Sequence, residues 1–297
     1  VKRAGIVLLL SMLAICLPCL EVRTGNLTVS AAPRDSLLAV AVATHLQPLI
    51  DDFQTKMGLY ADFPLHIQIA RNEAVYHALT ANQGVLEFSE AFYDGATQTV
   101  TIRHPGDLRH VERLGAILLH EYIHAYVNHY WRDAPLWFHE GMAVYFTEGV
   151  GFERAVQYAQ ATLLGRKLLL EQMNAYPRSA ADWDFFYAKS ALTMQYLYTQ
   201  RRAEFYRLWD LAPRKGGRFD VALAASMGLT RQDLGAQVDR YLKTRARWEI
   251  LLASSSVIWG GMPLLLLVGW LRSQWRNRRT KKGWEREEGE EDEEKNL

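Results

Sequence analysis

The stretch that most constrains this chain is Leu114 to Val127, LGAILLHEYIHAYV. Apolar residues lie on every side of it: Leu114, Ile117, Leu118, Leu119, Tyr122, Ile123, Ala125 and Val127. A helix that is apolar all round is a buried helix. This one carries His120, Glu121 and His124, and burying such groups without partners costs several kcal/mol. A divalent metal removes the objection. Each residue of a helix turns by about 100°, so His120 and His124 stand about 40° apart on one face and their rings can converge on one ion. Glu121 can then reach a water on that ion without ligating it.

A zinc site that does chemistry takes three protein ligands and keeps one position open. Tyr130 and Val127 stand where a third-histidine pattern would need histidine and glycine, and His129 is turned away from the pair. The best third candidate is Glu140, in Pro135 to Phe146, PLWFHEGMAVYF. Its carboxylate also sits in an apolar run, among Trp137, Phe138, Met142, Val144 and Phe146. Pro135 starts a second helix with Asp133 as a plausible cap. Gly141 removes a side chain beside Glu140 and lets two helices approach closely. His139 is the competing ligand. Neighbours on a helix face about 100° apart, so one of the two is expected to point at the metal.

HEYIH followed by WFHEGMA resembles the gluzincin metallopeptidases, in particular the peptidase MA-like group, with H-E-x-x-H and then W-x-x-E-G-x-A. The resemblance implies zinc held by His120, His124 and Glu140, with Glu121 as general base; Trp137, Gly141 and Ala143 also match. It implies a thermolysin-like zincin fold. Thermolysin-like enzymes carry an aspartate four residues after the ligand glutamate; Val144 stands there, so support for the ligands must come from elsewhere. In the zinc aminopeptidase branch a Y-x-K-G segment supplies a tyrosine that hydrogen-bonds the oxyanion. Tyr187 and Lys189 match it, with Ser190 for the glycine; a buried aromatic is the alternative for Tyr187. The G-x-M-E-N segment of those aminopeptidases has no counterpart.

Elsewhere the chain reads as follows. Lys2 and Arg3 precede an apolar run from Ile6 to Leu20, the pattern of an export signal over 1–31, cleaved after Ala31 or kept as an anchor. Cys16 and Cys19 fall inside that run, so a cleaved chain has no disulfide. Asp35 to Met57 is an amphipathic helix ended by Gly58. Leu65, Ile67 and Ile69 alternate with His66 and Gln68 as a half-buried strand. Ala74 to Thr80 reads as a short helix and Ala91 to Arg103 as a hairpin turning at Asp94-Gly95. The resemblance places Thr99 to Arg103 at the edge of a substrate cleft, where peptide backbone adds as a strand; an ordinary edge strand is the alternative. Helical periods follow over Phe152 to Gln172 (with a break near Gly165), Trp183 to Gln200, Arg201 to Leu211, Phe219 to Met227 and Thr230 to Trp248.

From Ile250 to Leu271 the chain is apolar, uncharged and long enough to span a bilayer. Arg272, Arg276, Arg278, Arg279, Lys281 and Lys282 follow at once, then a mostly acidic tail to Leu297. The positive-inside rule puts that tail, 272–297, in the cytoplasm, and Lys2 and Arg3 put the amino terminus on the same side. The domain between, Pro33 to Arg247, is then extracytoplasmic, anchored in the cell membrane.

The expectation is an α+β domain with a small N-terminal mixed sheet, an active-site helix and a mostly helical C-terminal half, followed by one transmembrane helix. Its expected activity is zinc-dependent hydrolysis of peptide or protein substrates outside the cytoplasm. The alternatives are a non-catalytic zinc-stabilised binding domain and a zinc hydrolase of non-peptide substrates. A net charge of +1 speaks against a nucleic-acid partner.

Overall fold

The computed structural model describes residues 20–81, 89–107, 113–179, 182–212, 218–244, 263 and 265–275. The chain divides into two compact units, 1–243 and 244–297. The first is an α+β domain.

Its five-stranded mixed sheet comprises β1 (Leu20–Thr24), β2 (Leu27–Ala31), β3 (Leu65–Ile69), β4 (Ala91–Asp94) and β5 (Thr99–Ile102), in the order β1-β2-β3-β5-β4. β1 and β2 are antiparallel, β2–β3 and β3–β5 parallel, and β4–β5 antiparallel. A parallel pair needs a crossover. The helix α1 (Ser36–Met57) supplies it between β2 and β3, ending at Gly58, whose φ of 66° is left-handed. Strand alternation puts Leu27, Val29, Ala31, Leu65, Ile67 and Ile69 in the core, with Ala39, Val42, Leu46, Ile50 and Phe53 of α1. A short α2 (Glu73–Thr80) is capped by Asn72, whose side chain accepts from the Val75 N–H.

The chain then enters α3 (Leu114–Tyr130), which packs on α1 and runs along β4, followed by α4 (Leu136–Thr147). Phe53 meets Tyr122, Tyr126 and Phe146 edge to face, joining α1, α3 and α4. The helical half comprises α5 (Phe152–Leu163), α6 (Trp183–Gln200), α7 (Arg202–Leu211), α8 (Phe219–Met227) and α9 (231–244). The expected break at Gly165 is present: α5 stops at Leu163 and Gly165 has φ 78°. Thr230 and Asp233 cap α9 reciprocally: the Asp233 N–H donates to Thr230 Oγ1, and the Thr230 N–H donates to Asp233 Oδ2.

The structure bears on three expectations. β1 and β2 lie inside the segment read as an export signal or anchor, 1–31, and β2 is buried between β1 and β3. A cut after Ala31 would remove both strands from the sheet. The hydrophobic run before Leu20, with Cys16 and Cys19, lies outside the described residues. Secondly, Thr99–Ile102 is not an edge: β5 is paired on both sides and β4 is the terminal strand. Thirdly, Asp133 does not cap α4, which has no side-chain cap. Its carboxylate instead accepts from the Phe219 N–H in the first turn of α8, 86 residues away. Most of 250–271 also lies outside the described residues, with helix at 263 and 265–275. Among the described residues no helix is long and apolar enough to cross a membrane.

α4 and α6 pack most closely at Gly141. A Cβ there would stand 2.6 Å from the backbone oxygen of Ser190. Backbone cannot yield as a side-chain tip can, so Gly141→Ala is expected to destabilise the domain by about 1–3 kcal/mol. A denaturant midpoint equal to that of the parent protein would contradict this packing.

Candidate metal centre

α3 is buried along most of its length and presents His120, Glu121 and His124 toward β4 and α4. Ligand atoms of these three side chains all lie within 4.8 Å of one another. The imidazole rings of His120 and His124 are 4.7 Å apart between centroids, nearly perpendicular. Glu140, on α4, reaches the pair with both carboxylate oxygens. Oε2 is 3.5 Å from His120 Nε2, and Oε1 is 3.7 Å from His124 Nε2. These are too long for good hydrogen bonds. They are close to the separation of about 3.3 Å expected for two donor atoms on one tetrahedral ion with bonds near 2.0–2.1 Å.

Two further observations bear on whether these residues fit a metal. Glu140 is 1% exposed, and its Oε2 is buried without a hydrogen-bond partner. Such an orphaned charged oxygen is costly unless something is bound to it. The protonation states also suit ligation. Burial alone would raise the Glu140 carboxyl, but the imidazoles of His124 and His120 outweigh it and hold the group down at about 2. Burial pushes His124 down to about 3, so its ring is neutral near pH 7. Burial also disfavours charge on His120, but Glu140 beside it prevails and the net direction is upward. A carboxylate and a neutral imidazole are the forms a metal needs.

Glu121 differs from Glu140. Burial pushes its carboxyl up to about 7, only partly offset by His120. The backbone N–H of Tyr93 on β4 also works against the rise. The acid beside the imidazole pair therefore lies next to the terminal strand of the sheet.

These groups open into a cavity of about 870 Å³. One wall is β4 with Phe92 and Tyr93; the opposite wall carries Tyr176 and Tyr187. At its margin Arg113 bonds Glu148 at 2.5 Å, and Arg154 bonds the same carboxylate. His139 and Glu140 both line the cavity, and of the two Glu140 lies against the imidazole pair. His139 lies with its ring 5.8 Å from that of His124, its pKa lowered to about 4 by burial. His129 stacks on Phe63, away from the centre.

Tyr187 lines the cavity. Lys189, also on α6, is buried and donates to the Leu168 carbonyl and to Asp239 of α9. Sequence reasoning missed Tyr176, whose hydroxyl donates to Glu140 Oε1 at 2.5 Å. It lies in the segment between α5 and α6, 36 residues from its partner, and no local spacing reveals it. The arginine–glutamate cluster at the margin was missed for the same reason. No protein-family model matches this chain, and no curated protein matches it.

The pH dependence of the metal-free protein reports on Glu121. Its folded pKa, about 7, lies above the ordinary value of 4.5. The unfolded chain therefore ionises first, and stability is lost as pH rises between those two values. Glu121→Gln abolishes that loss. In excess chelator its melting temperature should match the parent protein below pH 4.5 and exceed it increasingly up to about pH 7. A difference that does not vary with pH would show that Glu121 is not held protonated by burial.

Proposed function

We propose that this chain is a membrane-anchored zinc metallopeptidase of the gluzincin type, with a thermolysin-like catalytic domain outside the cytoplasm. The observation that carries the reading is the convergence of His120, His124 and Glu140 beside Glu121 in one cavity bounded by a sheet edge. The anchor rests on the apolar run Ile250 to Leu271 and the basic cluster after it. Retention of residues 20–31 in the sheet favours an uncleaved amino-terminal segment, or cleavage before Leu20, over cleavage after Ala31.

His120, His124 and Glu140 would hold the zinc, and the chemistry it would supply is polarisation of a water molecule and of the scissile carbonyl. Glu121 takes the proton from the attacking water and returns it to the leaving nitrogen. Substrate backbone adds as a strand to β4, the terminal strand beside α3, rather than to β5. Tyr187 donates a hydrogen bond from its hydroxyl to the developing oxyanion, stabilising charge without having to ionise. Burial raises its pKa above that of a free phenol, so it remains a donor at physiological pH. A purely structural metal site closes its fourth position and needs no base, so Glu121 favours a hydrolase over a binding domain.

The test is a digest of a peptide library by the purified full chain, with zinc, with chelator, and with zinc restored. Cleavage is expected in the first and third conditions only. Glu121→Gln should keep its zinc and lose turnover by about 10²–10⁴-fold. Glu140→Ala should lose the metal itself. Stoichiometric zinc without peptide cleavage would overturn the peptidase reading, and zinc retained in Glu140→Ala would return His139 as the ligand.

A further inference from the structure

Tyr176 and Tyr187 stand side by side at the cavity, and Tyr176 is bonded to Glu140. Tyr176 Oη is 2.5 Å from Glu140 Oε1. A carboxylate only accepts, so the single phenolic proton of Tyr176 lies in that bond. The Tyr187 ring lies 6.4 Å from that of Tyr176 between centroids. One oxygen of Glu140 is thus held, while the other, Oε2, is buried without a hydrogen bond and faces His120.

The terminal torsion of a glutamate is broad and roughly two-fold, so helix geometry alone does not fix the plane in which the carboxylate meets the imidazoles. A donor fixed in space does. The segment carrying Tyr176 is itself held at several points. The Trp183 indole N–H donates to the Pro177 carbonyl at 2.7 Å, the Asn174 side chain donates to the Glu171 carbonyl, and Arg231 of α9 donates to Asn174. The Tyr176 ring packs against Phe186 of α6.

We propose that Tyr176 is the positioning residue of the metal centre: its hydroxyl sets the rotation of the Glu140 carboxylate and so presents Oε2 as the ligand oxygen. The inference rests on the reading of His120, His124 and Glu140 as metal ligands.

The test reads metal affinity rather than turnover. Full chain stripped of metal is titrated with zinc against a chromophoric chelator, as parent protein, Tyr176→Phe and Tyr187→Phe. Tyr176→Phe is expected to weaken zinc binding about 10–100-fold, the usual effect of removing a partner of a ligand. Tyr187→Phe, at the neighbouring phenol, should remain near the parent value. Cobalt(II) in place of zinc should show altered d–d bands in Tyr176→Phe only. Parent-like affinity and bands in Tyr176→Phe overturn the proposal while leaving the metal site standing. Failure of the parent protein to bind zinc overturns the metal reading and this one with it. Should Tyr176→Phe also melt at a lower temperature without metal, Tyr176→Gln, which restores an N–H donor, decides. Affinity above that of Tyr176→Phe supports a positioning role, and affinity no better than it refutes one.

Discussion

The interaction on which the rest of this domain depends is the enclosure of the Glu140 carboxylate between the imidazoles of His120 and His124. An anion at 1% exposure is tolerable only with partners that repay its lost hydration. Those partners come from two helices and one connecting segment, and each must be held to within a fraction of an ångström. Phe53 pins α1 against α3 and α4. Gly141 lets α4 lie almost in contact with the backbone of α6. Behind them Phe138, Trp209 and Phe219 fill the space under α4 with aromatic rings. The core thus does double duty: the packing that makes the fold also fixes the geometry of the charges.

The two buried glutamates separate by environment alone. Glu140 faces two imidazoles and is held anionic; Glu121 faces mostly apolar surroundings and is pushed toward neutrality. Nineteen positions apart in sequence, they differ by what surrounds their carboxyls rather than by residue type. A pair of titratable groups driven in opposite directions within one cavity is a common mark of a site built for proton transfer.

Much of this was legible in the sequence where the signal is local and periodic. The apolar surround of His120 to His124 announced a buried helix, and Gly58 and Gly165 marked real helix ends. The alternation through Leu65 to Ile69 gave a strand facing the core on one side. What escaped notice depends on contacts between distant segments. Strand order cannot be read from strand existence, so β5 seemed as good an edge as β4. Asp133 stands where a cap for the next helix belongs, yet its carboxylate caps α8, because the fold brings that helix start within reach. Tyr176 carries no motif, and its importance arises only when the segment between α5 and α6 folds over Glu140. Residues 20–31, the end of the segment read as an export signal or anchor, form a β-hairpin whose second strand pairs with β3, a contact that no local pattern reveals.

The place of Glu121 beside the outermost strand has a mechanical consequence. Tyr93 belongs to β4, the terminal strand, and lines the same cavity as the acid. Whatever bends that strand therefore alters the surroundings of the buried carboxyl as well. The rim of the sheet and the interior of the cavity respond together, without a moving lid.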